Sequence, residues 1–292
     1  MEELITKNVS IESCPICYKK NPIKFDKKNG FEILKCSGCD LLWTPNIDEK
    51  VLSDFYSKSY FESQDNIFGY SNYIEDEEIL RINARYILSE FPKFKDNSPK
   101  MLDIGCAHGF LLDESRKLGW ETKGLEFSAE AASYAVNKLN LNVSVGSIMQ
   151  TELPENNFDI ITMIGVMEHL ADPIAAIRKV NKLLKPGGYL AITTINTKGF
   201  VRLFDLKPPE HIFYFSAKNL SLLLERENFK VVKQSSYWCH YHLNEALDRA
   251  FRLIFKPNRR IEKLLGLIPF FKIPIKVPTN EMFILSQKEI KS

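Results

Sequence analysis

The sequence predicts an α/β protein, a doubly wound and mainly parallel sheet preceded by a small cysteine-rich module. Three observations carry this reading. From residue 100 onward, short apolar runs alternate with helical patterns. The first such unit, Met101-Leu102-Asp103-Ile104-Gly105-Cys106-Ala107-His108-Gly109-Phe110, passes from an apolar run through Asp-x-Gly and small residues into a helical pattern. Residues 11–40 hold four of the six cysteines, as Cys14-x-x-Cys17 and Cys36-x-x-Cys39.

Composition narrows the class further. A net charge of +2 leaves no strong basic field that would point to nucleic acid. The acidic, polar start MEELITKNVS is not a secretory signal. The apolar stretch Leu264 to Val277 is too short to span a bilayer and is broken by Pro269, Lys272 and Pro274. A cytoplasmic protein is expected, whose cysteines serve as metal ligands or free thiols rather than disulfides.

Taken in order, residues 1–45 read as a zinc-binding module. Eighteen residues separate its two C-x2-C turns, and each turn aims two thiolates at one ion. Ile23–Asp26 and Phe31–Leu34 form the strands of a hairpin with Asn29-Gly30 as its turn. So small a unit has little core, and Zn2+ held by Cys14, Cys17, Cys36 and Cys39 would supply most of its folding free energy. Four thiolates close the site, so the zinc is structural.

Residues 46–99 read as an aromatic-rich helical linker or cap. The aromatics gather over 41–74, where Trp43, Phe55, Tyr56, Tyr60, Phe61, Phe68, Tyr70 and Tyr73 either pack on the next domain or line its cleft, and both can hold together. Glu75 to Phe91 is an amphipathic helix ended by Pro92.

Residues 100–292 form the main domain. Strand 100–104 leads to helix 109–118, and strand 121–126 leads through the N-cap Ser128 to helix 129–139. Strand 142–146 follows, then an apolar strand from Asp159 to Gly165. Asp172-Pro173 opens a helix at its N-cap and N1 positions. Lys185-Pro186-Gly187-Gly188 is a turn into strand 189–195. Ser216 caps the next helix, and Lys230–Ser235 and Glu281–Ser286 bring the strands to seven. Between those last two lies an insertion, about 239–279, with helical patterns and basic residues Arg249, Arg252, Lys256, Arg259, Arg260 and Lys263. It is a helical subdomain with a solvated basic face, or a peripheral membrane or partner contact through 250–277.

In open α/β sheets, ligands sit at the carboxyl-end crevice, where the 101–110 turn lies. Gly105 and Gly109 would let a ligand approach the backbone closely. Glu126, closing the second strand, is placed to accept hydrogen bonds from ribose hydroxyls. A dinucleotide site would want Gly-x-Gly-x-x-Gly, whereas this turn is Gly105-x-x-x-Gly109.

Together, Asp103 to Gly109, Glu126, Glu152-Leu-Pro-Glu155, Asn156-Asn-Phe-Asp159 and Leu184-Lys-Pro-Gly-Gly-Tyr189 resemble the class I S-adenosylmethionine-dependent methyltransferases over residues 100–235. The resemblance implies a Rossmann-like domain binding S-adenosyl-L-methionine. The turn of Gly105, Cys106, Ala107 and Gly109 would face the methionine moiety, with Asp103 orienting the turn. Glu126 would bind the ribose, and Phe127 would flank the adenine. Ser147 and Ile148 would lie near the adenine edge, and Ile164 and Gly165 would back the methionine portion. Ala107 stands where this family frequently has Gly.

Two Glu-His pairs are candidates for the acceptor chemistry: Glu168-His169 after the fourth strand and Glu210-His211 after the fifth. Methyl transfer needs the acceptor positioned and its proton removed, and a histidine with near-neutral pKa suits that base. Glu168-His169 acts there or simply opens a helix. Pro208-Pro-Glu210-His211-Ile-Phe-Tyr214-Phe-Ser216 is similar to a segment of methyltransferases of bacterial surface glycans and natural products, including sugar C-methyltransferases with an N-terminal four-cysteine module. That resemblance implies His211 as base or acceptor-orienting group with Glu210 beside it, Tyr214 being a weaker candidate. A saccharide or nucleotide-sugar is the expected acceptor, methylated on O or C. An RNA methyltransferase using the zinc ribbon and basic insertion is the alternative.

Overall fold

The computed structural model describes residues 12–47, 76–94, 98–199, 206–243, 246–247 and 273–290. Most of the aromatic residues of 46–74, and the basic residues of the 239–279 segment from Arg249 to Lys263, lie outside these.

The N-terminal hairpin forms as its turn residues dictate. Strands β1 (Ile23–Lys28) and β2 (Phe31–Lys35) pair antiparallel across Asn29-Gly30. Both turn residues have positive φ, 53° and 85°, the combination that matches the twist of the two strands. A short β3 (Leu42–Trp43) continues this sheet beyond β2.

Helix α1 (Glu77–Ser89) precedes the main domain and packs on it through Ile79, Ala84, Ile87 and Leu88. The domain then alternates: β4 (Lys100–Ile104), α2 (Phe110–Lys117), β5 (Glu121–Glu126), α3 (Ala129–Leu139), β6 (Val143–Val145) and β7 (Phe158–Ile164). A single 3-10 turn, Met167–His169, leads to α4 (Pro173–Leu183) and β8 (Leu184–Ile195). After β9 (Phe213–Tyr214) come α5 (Ala217–Arg226), β10 (Phe229–His242) and β11 (Pro274–Lys288). The caps are the expected ones. Ser128, Asp172 and Ser216 each accept a backbone N–H of the first helical turn, and Asn219 completes a capping box with Ser216.

The main sheet has seven strands in the order β10-β11-β8-β7-β4-β5-β6. From β8 to β6 neighbours are parallel, and β11 and β10 add antiparallel at one edge. This is the mixed, Rossmann-like α/β sheet. The chain runs outward from β4 first toward β6 and then, from β7, toward β8. The crevice between the carboxyl ends of β4 and β7 is therefore the topological switch point at which such sheets hold ligands.

Three features depart from the sequence reading. Lys185-Pro186-Gly187-Gly188 is not a turn preceding the strand but lies within β8, bulged out between the pairs Phe158–Leu184 and Ile160–Tyr189. The arms flanking the expected insertion are strand. β10 runs on to His242 and β11 begins at Pro274, so 238–242 and 274–278 pair with one another. Pro274 and Pro278, a residue type that central strands exclude, fall where β11 pairs with β10 alone among the described residues, before its pairing with β8 begins at Glu281. Leu243, Ala246 and Leu247 are helical, and 248–272 lie outside the described residues.

The third departure is β9, a segment read as loop. It pairs with β3, so the cysteine module's sheet, β1-β2-β3-β9, is completed by a strand from the main domain. Trp43, Leu41, Phe213 and Phe215 are fully buried in the same core that underlies β7 and β8. Among the described residues no helix is long and apolar enough to cross a membrane.

Candidate active site

The glycine turn sits at the end of β4. Gly105 and Gly109 have φ of 74° and 84°. A Cβ at 105 would come within 2.5 Å of Val166 Cγ2, and one at 109 within 2.6 Å of Leu141 Cδ1. Both glycines are therefore required by backbone conformation and by the protein's own packing, where ligand approach was the expected reason. Ala107 takes a φ of 48° without being glycine, which accounts physically for glycine being frequent at this place. Cys106 turns its thiol inward against Leu112 and the backbone of Gly124, so it can offer a ligand only its main chain.

Glu126 ties this turn to β5. Its Oε2 accepts the Ala107 N–H at 2.8 Å and its Oε1 the Ser128 N–H at 2.7 Å. Each oxygen keeps a second lone pair, so the carboxylate can still accept from ribose hydroxyls. Burial raises its pKa despite those bonds. Asp103 lies below the turn, 3% exposed, and accepts the Thr162 hydroxyl of β7 at 2.6 Å. Burial pushes its pKa up to about 7, with the charge of Glu126 adding to the rise. Phe127 is half out of the protein, as an adenine flank would be, whereas Ile148 is buried in the core. The Ser147 hydroxyl is buried without a hydrogen-bond partner among the described residues. Ile164 ends β7, and Gly165 follows with nothing within 4 Å of where its Cβ would stand. The crevice beside it is open.

On the other side of that crevice the structure joins the two Glu-His pairs into one cluster. Glu168 and His169 occupy the 3-10 turn after β7, and His211 comes from the loop before β9. One ligand-type atom from each lies within 4.8 Å of the others. The Ile212 N–H donates to Glu168 O at 2.8 Å, which fixes the two segments together. The His169 and His211 rings meet edge to face, 4.7 Å between centroids. His169 Nδ1 lies 2.9 Å from Glu210 O, and Glu168 Oε2 accepts the Thr194 hydroxyl at 2.8 Å. Glu210 Oε1 stands 4.0 Å from His211 Nε2. Tyr214, far from offering its hydroxyl to the crevice, uses it on the loop backbone: it donates to His211 O at 3.0 Å and accepts the Lys207 N–H at 2.9 Å.

Burial dominates the electrostatics here. It pushes Glu168 up to about 7, with Glu210 adding to the rise. It lowers His169, and it pushes His211 down to about 2, helped by His169 and Lys207. Both imidazoles are thus neutral at neutral pH, and burial takes from His211 the near-neutral pKa that the sequence reading expected of a base. Thr162 and Thr194 were passed over in the sequence, although hydroxyls within a buried apolar strand, Thr162 alone in β7 and Thr194 beside Thr193 in β8, are the signal that marks them.

The cysteine module abuts this cluster. Cys14 and Cys39 Sγ lie 3.6 Å apart and Cys17 and Cys36 Sγ 3.3 Å, and all four fall within 4.8 Å of one another. These spacings are too long for a disulfide and close to the roughly 3.8 Å expected between thiolates on a tetrahedral zinc. Gly38 N–H donates to Cys36 Sγ at 3.2 Å, as thiolate ligands commonly accept. Asn29 Nδ2, in the hairpin turn, donates to Pro208 O at 2.9 Å, and Asn219 Nδ2 to Cys39 O at 3.2 Å.

The family model described as a methyltransferase domain matches residues 76–234, more than half of the chain. The chain belongs to this methyltransferase-domain family. Among relatives, it is 34% identical over 104 residues to the ubiquinone biosynthesis O-methyltransferase of Proteus mirabilis, 33% of this chain and 42% of that one. It is 32% identical over 139 residues to the enzyme of the same name from Serratia proteamaculans, 46% of this chain and 56% of that one. The chain spans about half the length of these curated relatives. A solved S-adenosylmethionine-dependent methyltransferase from Archaeoglobus fulgidus shares the methyltransferase's fold, with a TM-score of 0.53, 22% identity, and coverage of 75% of this chain and 100% of that one.

Proposed function

We propose that this methyltransferase moves the methyl group of S-adenosyl-L-methionine to a small-molecule acceptor held between the Glu168–His169–His211 cluster and Gly165. The observation that carries this is the crevice at the β4/β7 switch point. It has the glycine turn and Glu126 on one wall and a buried carboxylate with two neutral imidazoles on the other. The cofactor supplies an electrophilic methyl on a sulfonium sulfur. On the cofactor wall, the turn of Gly105 to Gly109 with Asp103 beneath it, and Ile164 and Gly165 opposite, would enclose the methionine portion. Glu126 would hold the ribose, Phe127 would cover the adenine, and Ser147 and the Ile148 backbone would meet its edge. On the acceptor wall, His211 would orient the acceptor and take its proton as the acceptor atom bonds to the methyl carbon and the C–S electron pair returns to sulfur. Glu210, 4.0 Å from His211 Nε2, is placed to stabilise the imidazolium that forms.

The acceptor is a hydroxylated small molecule. The segment Pro208 to Ser216 supports a saccharide or nucleotide-sugar, and the names of the Proteus and Serratia relatives favour O-methylation of a ubiquinone-type precursor as a second reading. Zn2+ on Cys14, Cys17, Cys36 and Cys39 would hold the module against the acceptor loop, and the four sulfur positions support that assignment.

The test uses purified protein with labelled S-adenosylmethionine and a panel of nucleotide-sugars, phenols and RNA. A nucleotide-sugar or phenol is expected to gain label. His211→Ala should lower turnover by about a hundredfold or more, while the cofactor dissociation constant stays within about twofold of wild type by calorimetry. Turnover unchanged in that variant removes His211 from the chemistry. Label appearing in RNA alone overturns the acceptor class.

A further inference from the structure

We propose that Glu168, His169 and His211 form a second metal site, which binds a borderline divalent cation such as Zn2+, Mn2+, Fe2+ or Co2+ and presents it to the acceptor. The inference rests on the acceptor-side placement of His211 argued above. It changes the role of that residue from a proton acceptor to a ligand that orients the acceptor through the ion.

The donor set is the first ground. Two imidazoles and one carboxylate are three protein ligands, which leaves a coordination position open for an acceptor oxygen. Mixed nitrogen and oxygen donors suit the borderline cations above, rather than Mg2+ or Ca2+, which take oxygen ligands almost alone. The three donor atoms already lie within 4.8 Å of one another, close to the spacing of ligands on one ion. They come from two chain segments fixed together by the Ile212 N–H to Glu168 O bond, so the cluster is built into the fold.

Outer partners are the second ground. Metal-bound histidines generally donate their other ring N–H to a carbonyl or carboxylate, which settles the tautomer and aims the remaining nitrogen at the ion. His169 Nδ1, 2.9 Å from Glu210 O, is so placed, leaving Nε2 as the ring's lone-pair nitrogen. Glu168 has the matching support, since Thr194 donates to Oε2 and holds the carboxylate in one orientation. The loop backbone at His211 is fixed in turn by the Tyr214 hydroxyl.

The third ground is a cost that the protein alone leaves uncompensated. Glu168 is 5% exposed and His211 7% exposed. His211 Nδ1 and Glu210 Oε2 are both buried with no hydrogen-bond partner among the described residues. Buried polar atoms are almost always satisfied, and orphans in one place point to a ligand. An ordinary polar network would satisfy them internally. A bound cation would compensate the buried carboxylate and engage a lone pair of the imidazole. The site stands at the carboxyl edge next to Gly165, so an ion there faces the crevice that the methionine portion of the cofactor would occupy. An acceptor hydroxyl on the ion's open position would be held in line and made more acidic.

The experiment needs no turnover. The 292-residue protein is first freed of metal, loaded with one equivalent of Zn2+ per chain to fill the four-cysteine cluster, and then titrated with Co2+ under visible spectroscopy and calorimetry. A second metal equivalent should bind, with d–d bands of nitrogen and oxygen ligation and no thiolate charge-transfer band. Glu168→Gln and His211→Ala should each abolish that second equivalent. Thr194→Val should weaken it by about tenfold, the effect of losing an outer partner. Retained binding of S-adenosylmethionine shows that the variants are folded. A wild-type protein that holds one metal equivalent per chain overturns the site and does so without any variant. So does a second equivalent that survives both ligand substitutions, or Co2+ that shows thiolate ligation. Loss of turnover in His211→Ala without a second metal leaves His211 as a base. A second metal with no acceptor methylated leaves the site standing and sinks the methyl-transfer reading instead.

Discussion

The two walls of the crevice are made in different ways. The cofactor wall is assembled from consecutive strand–turn–helix units, and each delivers its residue at the end of its own strand. Asp103 is the last residue but one of β4, Glu126 closes β5 and Gly165 follows β7. The wall proposed for the acceptor is gathered from three distant stretches: the cysteine module, the turn at 167–169 and the loop at 206–216. Its connections are long-range, β3 with β9, Asn29 with Pro208, Asn219 with Cys39 and Ile212 with Glu168. The contrast suggests that one wall is robust to local damage, while the other depends on a module that has little core of its own.

The sharpest way to break the comparison is to remove a thiolate. Cys36→Ser should release the Zn2+ proposed for the module and lower stability by about 3 kcal/mol or more, as loss of a structural metal does in small modules. Hydrogen exchange should then speed at Ile212 to Phe215, while S-adenosylmethionine still binds. Equal loss of protection in β4 and β5 would show that the walls are not separable.

A smaller effect tests the cofactor wall. The folded pKa of Asp103 is raised from 3.8 to about 7. Its contribution to stability is therefore fully present below the unfolded value, near 4, and is lost as pH rises through about 7. Asp103→Asn keeps an acceptor for Thr162 but cannot ionise. The melting temperature of wild type minus that of this variant should fall by several degrees between pH 4 and 7.5, and level off above. A difference independent of pH would mean that Asp103 ionises normally. The smallest expected change is Ala107→Gly. Ala107 occupies a left-handed φ of 48°, so relieving it should stabilise the protein by up to about 1 kcal/mol in urea melts. A destabilisation would show that the Ala107 methyl makes a contact worth more than the strain.

The same contrast governs how much could be read in advance. The resemblance over residues 100–235 and the βα alternation gave the sheet, and the caps at Ser128, Asp172 and Ser216 fell where expected. Each of these is decided by residues within a few positions of one another. The extended ribbon of β10 and β11 was missed because 239–279 read as an insertion with helical patterns, and only the pairing partners reveal how far the two strands continue. That Val166 and Leu141 crowd Gly105 and Gly109 was not legible, because both are remote from them in sequence.

By itself the sequence determined the local pieces: the Asn29-Gly30 turn with both φ positive, the C-x2-C turns, the strand ends bearing Asp103 and Glu126, and the helix starts. These follow from backbone sterics, capping and spacing, which act over a few residues. Only the tertiary structure decided that Glu168-His169 and Glu210-His211 are one cluster and that β9 closes the module's sheet. It also decided that burial leaves both imidazoles neutral beside a carboxyl with a pKa of about 7. The reason is that proximity across forty residues or more, and the desolvation that comes with it, exists only once the chain has packed.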